Sequence, residues 1–411
     1  MKLPFRNKRW ILPSVCVALS LKGVMALPFT ARAIEDRSFG TAVPTRPTTQ
    51  SPLPAPTGPY EVGRREFDWV DTSRPDPDSP SGHREIVVWL WYPASAKHGA
   101  EAAEWMPGKW GELFLPYYLS KKSSGPTLSE IEARLKEHPI RTIRTHAYPN
   151  APILHGQKKF PVLIFEPGFG MLPFFYTTLI EDLASHGYIV AGVIPTYYTH
   201  YNVFSDGRVV DTFISTHTNS HLPDWTGDAL FTLNQLETVN TDTEIQFHER
   251  LDFMRVGAFG HSFGGAASVQ VAKDDPRVRA ALDLDGSLVP NVVNSVVESG
   301  LSKPFLMFDH PHPGETDYHR DAVVFRDAKP AYRLTLAGSE HGFSQDWGLL
   351  PLIPTSLKKT ALGTIDPARA LTITKTYVEA FFGEYLEGRK SPLLNGPSPE
   401  YPEITFETNK K

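Results

Sequence analysis

Seven stretches of the chain are almost wholly apolar and bounded by Gly or Pro: 84–93 (REIVVWLWYP), 160–168 (FPVLIFEPG), 187–196 (GYIVAGVIPT), 255–262 (RVGAFGHS), 278–286 (VRAALDLDG), 303–310 (KPFLMFDH) and 332–341 (YRLTLAGSEH). A strand with one wet face would alternate apolar and polar residues. Near-continuous runs instead suit strands buried on both faces of a mostly parallel sheet. Between them lie segments with helical spacing: 174–187, 224–240, 264–274 and 368–388. In 224–240 the positions Trp225, Leu230, Leu233 and Leu236 share one face, which reads as core packing. Strand and helix alternating in this way predict an α/β fold with helices on both faces of the sheet.

The N-terminal pattern is different. Lys2, Arg6, Lys8 and Arg9 precede the apolar stretch WILPSVCVALSL, and small-residue triplets follow, VMA ending at Ala26 and ARA ending at Ala33. A basic start, a short apolar core and small residues at the end predict an export signal over 1–33, and hence a secreted or periplasmic protein. The apolar stretch is interrupted by Lys22 and falls short of the roughly 20 apolar residues that a membrane-spanning helix needs. Residues 34–57 are rich in Pro, Thr and Ser and predict an extended tether. One catalytic-sized domain is expected over 58–390, with 391–411 as a C-terminal tail, because no fixed-period repeat or second linker follows.

Composition removes several functions. The only cysteine, Cys16, lies inside the export segment, so a processed chain would have no disulfide, cysteine nucleophile or thiolate metal site. The formal charge of -5 comes without a dense Lys/Arg stripe, which argues against a nucleic-acid partner.

The stretch 256–270 (VGAFGHSFGGAASVQ) carries the clearest chemistry. A strand runs into Gly-His-Ser-Phe-Gly, and a small-residue helix follows. That is the setting of a nucleophile elbow, in which Gly260 and Gly264 permit the tight turn that exposes Ser262. A serine hydroxyl needs a base to take its proton. His341 lies on the loop after the last apolar run, where an α/β-hydrolase carries its histidine. His261, beside the serine, is expected to pack rather than act as the base. His310, His312 and His319 crowd one loop (DHPHPGETDYH) without the spacing of a metal motif, so it reads as a polar surface loop. Two aspartates compete to orient the base: Asp285, with Asp283 two residues earlier, and Asp309 at the end of the next run. The spacing leaves that choice open. One oxyanion donor is expected at the backbone N–H of Phe263, and a second within the loop EPGFGM after the 160–168 run.

Beyond these motifs the chain resembles the plasma-type platelet-activating-factor acetylhydrolases, secreted or lipoprotein-associated α/β-hydrolases that cleave short or oxidised acyl chains from phospholipids. The resemblance runs in order through PTGPYEVG, LWYP, FPVLIFEPGFG, LIEDLASHGYIVAGV, RVGAFGHSFGGAASVQ, RVRAALDLDG and AGSEHGF. It implies a triad of Ser262, His341 and Asp285 in place of Asp309, and it places the second oxyanion donor on Phe169. Pro167 departs from the family, which usually has a histidine before that loop's first glycine.

The expected function is therefore hydrolysis of carboxylic esters with short acyl chains, on a small ester or phospholipid substrate and with no metal or organic cofactor. A general carboxylesterase, lipase or polyester hydrolase would use the same triad, whereas a non-catalytic binding module on this fold typically lacks members of it. The aromatic segment 103–122 lies where the resembling family contacts lipid surfaces; it reads either as an interface-seeking helix or as a packed lid.

Overall fold

The computed structural model describes residues 51–114, 126–156, 158–211, 221–286, 295–312 and 321–410. The export segment and the tether up to residue 50 lie outside the described residues. Among the described residues the strands are β1 (Glu61–Pro75), β2 (His83–Ala94), β3 (Ala147–Pro149), β4 (Phe160–Glu166), β5 (Ile189–Ile194), β6 (Tyr201–Val203) and β7 (Val209–Asp211). They continue with β8 (Leu251–His261), β9 (Val278–Leu284), β10 (Phe305–Asp309), β11 (Ala331–Leu336) and β12 (Ile404–Thr408). The strands β6 and β7 pair with each other as a short hairpin, and the other strands form one sheet in the order β12-β11-β10-β9-β8-β4-β5-β2-β1-β3.

From β5 to β11 the strands run parallel, and β2 and β12 join the flanks antiparallel. Each of the seven apolar runs becomes a strand of this sheet. The reason is visible along β4, where Phe160, Val162 and Ile164 enter one core while Leu163 and Phe165 enter the other. Helices cover both faces. Leu179 of helix Thr177–Ser185 and Phe382 of helix Pro367–Glu387 lie in one core. Leu233 and Leu236 of helix Leu222–Thr241 and Val269 of helix Phe263–Asp274 lie in the other. Trp225 is buried in a small satellite cluster with Tyr198, Leu222, Phe263 and Ala267.

The chain leaves β4 toward β5 on one side and β8 toward β9 on the other. The strand order thus reverses between β4 and β8, which opens a crevice at their carboxyl ends where ligands of open α/β sheets bind.

Three elements differ from the sequence reading. The strand β1 carries Glu61, Arg64, Arg65, Glu66 and Asp68, so it shows no apolar run, yet it pairs with β2 from Glu61 opposite Ala94 to Asp71 opposite Arg84. The expected tail contributes β12, which continues the sheet with Ile404 opposite Leu336, and Leu394 and Tyr401 are buried. Near the tether's end, Leu53 is buried and the Thr57 N–H donates to Asp182 Oδ1 at 2.8 Å, so ordered contacts begin before residue 58.

Within 103–122, the described part is a packed element and not a lipid-facing helix. It includes the single helical turn Lys109–Glu112, and Trp105, Trp110 and Phe114 are buried. The Trp105 indole N–H donates to the Phe174 carbonyl at 2.6 Å, and Leu113 packs half-buried against the core. An indole with a carbonyl to satisfy and an aromatic cluster to join is more stable inside than at an interface. Residues 115–122 lie outside the described residues. No helix among the described residues is long and apolar enough to cross a membrane. Trp105→Ala is expected to lower the unfolding free energy by about 3–5 kcal/mol in denaturant titration while leaving vesicle co-sedimentation unchanged. Loss of vesicle binding at unaltered stability would return this residue to a lipid-facing role.

Candidate active site

The strand β8 ends at His261 and the next helix begins at Phe263, so Ser262 takes the whole turn, at φ 56° and ψ -124°. A non-glycine residue held there costs about 1–3 kcal/mol and persists only when its surroundings fix it. Two main-chain bonds do so: Ser262 N–H donates to Leu284 O at 2.9 Å, and Ala266 N–H donates to Ser262 O at 3.2 Å. The flanking glycines are steric necessities. A Cβ on Gly260 would lie 2.3 Å from the Gly264 carbonyl oxygen, and one on Gly264 would lie 2.3 Å from that of Glu166. The elbow is therefore pressed directly onto the end of β4.

His341 lies on the loop after β11, with its Nε2 3.0 Å from Ser262 Oγ and its Nδ1 in a short hydrogen bond with Asp285 Oδ2. A carboxylate only accepts, so Nδ1 carries the proton and Nε2 is left to accept from the serine hydroxyl. Asp285 follows β9, is buried, and also has a positive φ, 56°. Its N–H donates to Phe308 O at 2.9 Å, which fixes the turn against β10. Asp309 does not join this group; its Oδ2 lies 3.8 Å from Arg333 Nε. Asp283 is buried and accepts the Gly286 N–H at 2.8 Å, a structural position beneath the elbow.

The loop read as polar surface turns inward at its start. The His310 N–H donates to Asp285 Oδ1 at 2.8 Å, His310 Nδ1 lies 2.7 Å from both carboxylate oxygens, and His312 Nε2 lies 3.3 Å from Oδ1. His319 lies outside the described residues. The signal for this contact is the pairing of Phe308 with Leu284, which carries the residues after β10 alongside Asp285. Burial would raise the Asp285 carboxyl, but hydrogen bonds from His310, His312 and His341 outweigh it and hold the group well below the usual carboxylate range.

His261 packs, as expected, but it is also hydrogen-bonded at both nitrogens. Its Nε2–H donates to the His341 carbonyl at 2.7 Å, and its Nδ1 accepts the Tyr176 hydroxyl proton at 2.8 Å. Tyr176 in turn accepts from Gly168 N–H and from Gln345 Nε2, each at 3.3 Å. One imidazole thus ties the β4 loop to the main chain of the histidine loop. Burial, reinforced by the nearby His341, lowers its pKa to about 3.

Phe263 opens the elbow helix, so its N–H has no carbonyl within the helix to take it. In the β4 loop, the amides of Gly168, Gly170 and Met171 donate to Tyr176 Oη, Tyr198 O and Gly168 O, respectively. Phe169 stands between them, with its ring edge-on to Phe263 at 6.2 Å, so the two expected donor residues are neighbours. Tyr198 and Trp225 complete an aromatic wall beside them.

An elbow serine after a central parallel strand, with a histidine and a buried aspartate in line, belongs to an α/β-hydrolase, and the protein is a carboxylic ester hydrolase of that fold. The chain belongs to the family described as platelet-activating factor acetylhydrolase, isoform II, whose model matches residues 46–195 and 233–392. A model described as PET hydrolase-like also matches residues 168–287. The chain is 27% identical to a probable 1-alkyl-2-acetylglycerophosphocholine esterase of Arthroderma benhamiae, over 86% of this chain and 93% of that one. It is 23% identical to the platelet-activating factor acetylhydrolase of Canis lupus familiaris, over 83% of this chain and 79% of the relative. Among solved structures, a ferulic acid esterase from Streptomyces cinnamoneus superposes with a TM-score of 0.69 at 31% identity, covering 86% of this chain and 98% of that one.

The neutral His261 makes stability depend on acid. Its folded pKa of about 3 lies below the ordinary 6.5, so the unfolded chain takes up a proton that the folded chain refuses. This contribution is complete above the ordinary value and is lost as pH falls toward the folded one, at about 1.4 kcal/mol per pH unit. His261→Gln is expected to be less stable near neutrality but to lose stability less steeply between about pH 6 and pH 4, as followed by denaturant titration. Parallel wild-type and variant curves would contradict this.

Proposed function

We propose that the chain is an exported serine esterase that works through an acyl-enzyme. The observation that carries the reading is His341, which lies 3.0 Å from Ser262 Oγ through one nitrogen and is bound to Asp285 through the other. Ser262 attacks the ester carbonyl while His341 Nε2 takes its proton, and Asp285 stabilises the imidazolium and keeps it oriented. The backbone N–H groups of Phe263 and Phe169 receive the oxyanion, at the positive end of the elbow helix. His341 then protonates the leaving alcohol, and a water molecule activated by the same nitrogen cleaves the acyl-enzyme.

The substrate class we propose is a short-acyl phospholipid, in keeping with the family and with the names of the fungal and mammalian relatives. A second reading, an ester with an aromatic acyl group, draws on the ferulic acid esterase likeness and on the wall formed by Phe169, Tyr198, Trp225 and Phe263. Hydrolysis rates for a 2-acetyl glycerophosphocholine, p-nitrophenyl esters of increasing chain length and methyl ferulate separate the two. The first reading expects activity on the acetyl lipid and a steep decline with chain length; methyl ferulate turned over far faster than the acetyl lipid would establish the second. Export further implies a protein found outside the cytoplasm with its N-terminus trimmed after Ala26 or Ala33, which N-terminal sequencing would reveal.

A fluorophosphonate trap is expected to label Ser262 once per chain, and Ser262→Ala should abolish labelling and turnover together. Labelling at another residue, or an active alanine variant, would end the serine-esterase reading. Asp285→Asn should remain folded and lose turnover by up to about 10⁴-fold, whereas Asp309→Asn should lose far less. If only the Asp309 variant is inactive while folded, the acid has been assigned to the wrong strand.

A further inference from the structure

Among the described residues, one group of side chains has the composition of a metal site. Asp285, His310 and His312 bring one carboxylate oxygen and two imidazole nitrogens within 4.8 Å of one another. We propose that these three side chains bind a borderline divalent transition-metal ion, Zn2+ in the first instance, and that its binding switches the hydrolase off. The switch half of the inference rests on the reading of Asp285 as the triad acid.

The geometry is close to what ligation requires. Zinc bound to histidine nitrogen and carboxylate oxygen at roughly 2.0–2.2 Å has ligand-to-ligand edges of about 3.3 Å in a tetrahedral site. His312 Nε2 and Asp285 Oδ1 are separated by 3.3 Å, and His310 Nδ1 lies 2.7 Å from the same oxygen. Of these two edges, the shorter must open by roughly half an ångström; the third, between the two imidazole nitrogens, lies within 4.8 Å. Asp285 itself is held in place through its N–H bond to Phe308 O, so the adjustment falls to the histidines. Both imidazoles keep a partly exposed edge, 14% for His310 and 11% for His312, from which a water can supply a fourth ligand.

The proton balance is equally direct. His312 now donates from Nε2 and His310 from Nδ1 to the carboxylate; to ligate through those atoms, His312 must move its proton to Nδ1 and His310 its proton to Nε2. There Nε2 faces Glu340 Oε2 at 3.9 Å. A carboxylate behind the non-ligating nitrogen is the usual support of a metal-bound histidine. Two nitrogens and one oxygen favour zinc, copper or nickel over calcium and magnesium, which prefer oxygen alone.

The consequence follows from the shared carboxylate. Asp285 Oδ2 is the partner of His341, and a cation on the same carboxylate would neutralise the charge that the developing imidazolium needs. Because Asp285 lies behind His341, the loss should fall on kcat with KM little changed.

Two measurements test the proposal. In the first, Ser262→Ala protein is titrated calorimetrically with ZnCl2, MgCl2 and CaCl2. One Zn2+ per chain is expected, with no binding of the other two, and affinity should fall by roughly tenfold or more on adding His312→Ala, His312→Gln or His310→Ala. Melting temperatures of each variant identify any that fails to fold, and the glutamine variant serves if the alanine one does. Unchanged zinc affinity in the folded variants, or equal binding of Ca2+, overturns the site. In the second measurement, ZnCl2 added to the active enzyme should lower kcat, EDTA should restore it, and folded His312 variants should show a smaller fold inhibition. Stoichiometric binding at this site without a fall in kcat overturns the switch. The calorimetric arm needs no turnover, so it stands or falls separately from the esterase reading.

Discussion

A carboxylate removed from water must have its charge answered by hydrogen bonds, and the Asp285 carboxylate is where this requirement organises the carboxyl ends of the strands. Its side chain is fully buried and meets His310, His312 and His341. Those contacts bring in two further pieces of chain: the loop after β10 supplies two imidazoles, and the loop after β11 supplies the third. Satisfying one buried anion therefore aligns three successive strand ends, and the histidine that faces Ser262 is set in place as part of the same arrangement.

The elbow adds a second constraint, which acts through contact rather than charge. Ser262 and Asp285 both hold positive φ values, and each is fixed by a main-chain bond to the neighbouring strand end, Ser262 to Leu284 and Asp285 to Phe308. The strained turns are thus anchored to strands of the central sheet. Glycines at 260 and 264 let the elbow helix press onto the β4 end, and His261 passes that contact on to the His341 main chain. The residue beside Ser262 works as a bracket between loops, a role that calls for a neutral imidazole.

Much of this was legible in the sequence because burial on both faces leaves a continuous apolar signature. All seven runs became strands, and Gly-His-Ser-Phe-Gly between a strand and a small-residue helix has few other structural meanings. What escaped was whatever depends on pairing across the sheet. The charged β1 is held by its ladder with β2, and β12 is too short and polar to show a pattern. Asp285 and Asp309 each end a strand, and nothing local distinguishes them; only the resemblance to a family did. The inward turn of His310 and His312 follows from the β9 and β10 register, which spacing along a single segment does not reveal. The aromatic segment 103–122 stayed ambiguous between lid and interface, since a dense aromatic composition suits an interior and an interface equally well, and only the burial of Trp105, Trp110 and Phe114 favours the lid.

The closing strand has a consequence for handling the molecule. Residues 391–411 resemble a dispensable end, but β12 covers the outer hydrogen-bonding edge of β11, from Tyr332 to Leu336. A chain shortened before Ile404 would present that edge as a bare ladder of N–H and C=O groups along an apolar strand, a ready template for a second chain. The loop bearing His341 leaves from the end of that strand. Trimming what looks like a tail would therefore favour self-association of the sheet, at the edge next to His341.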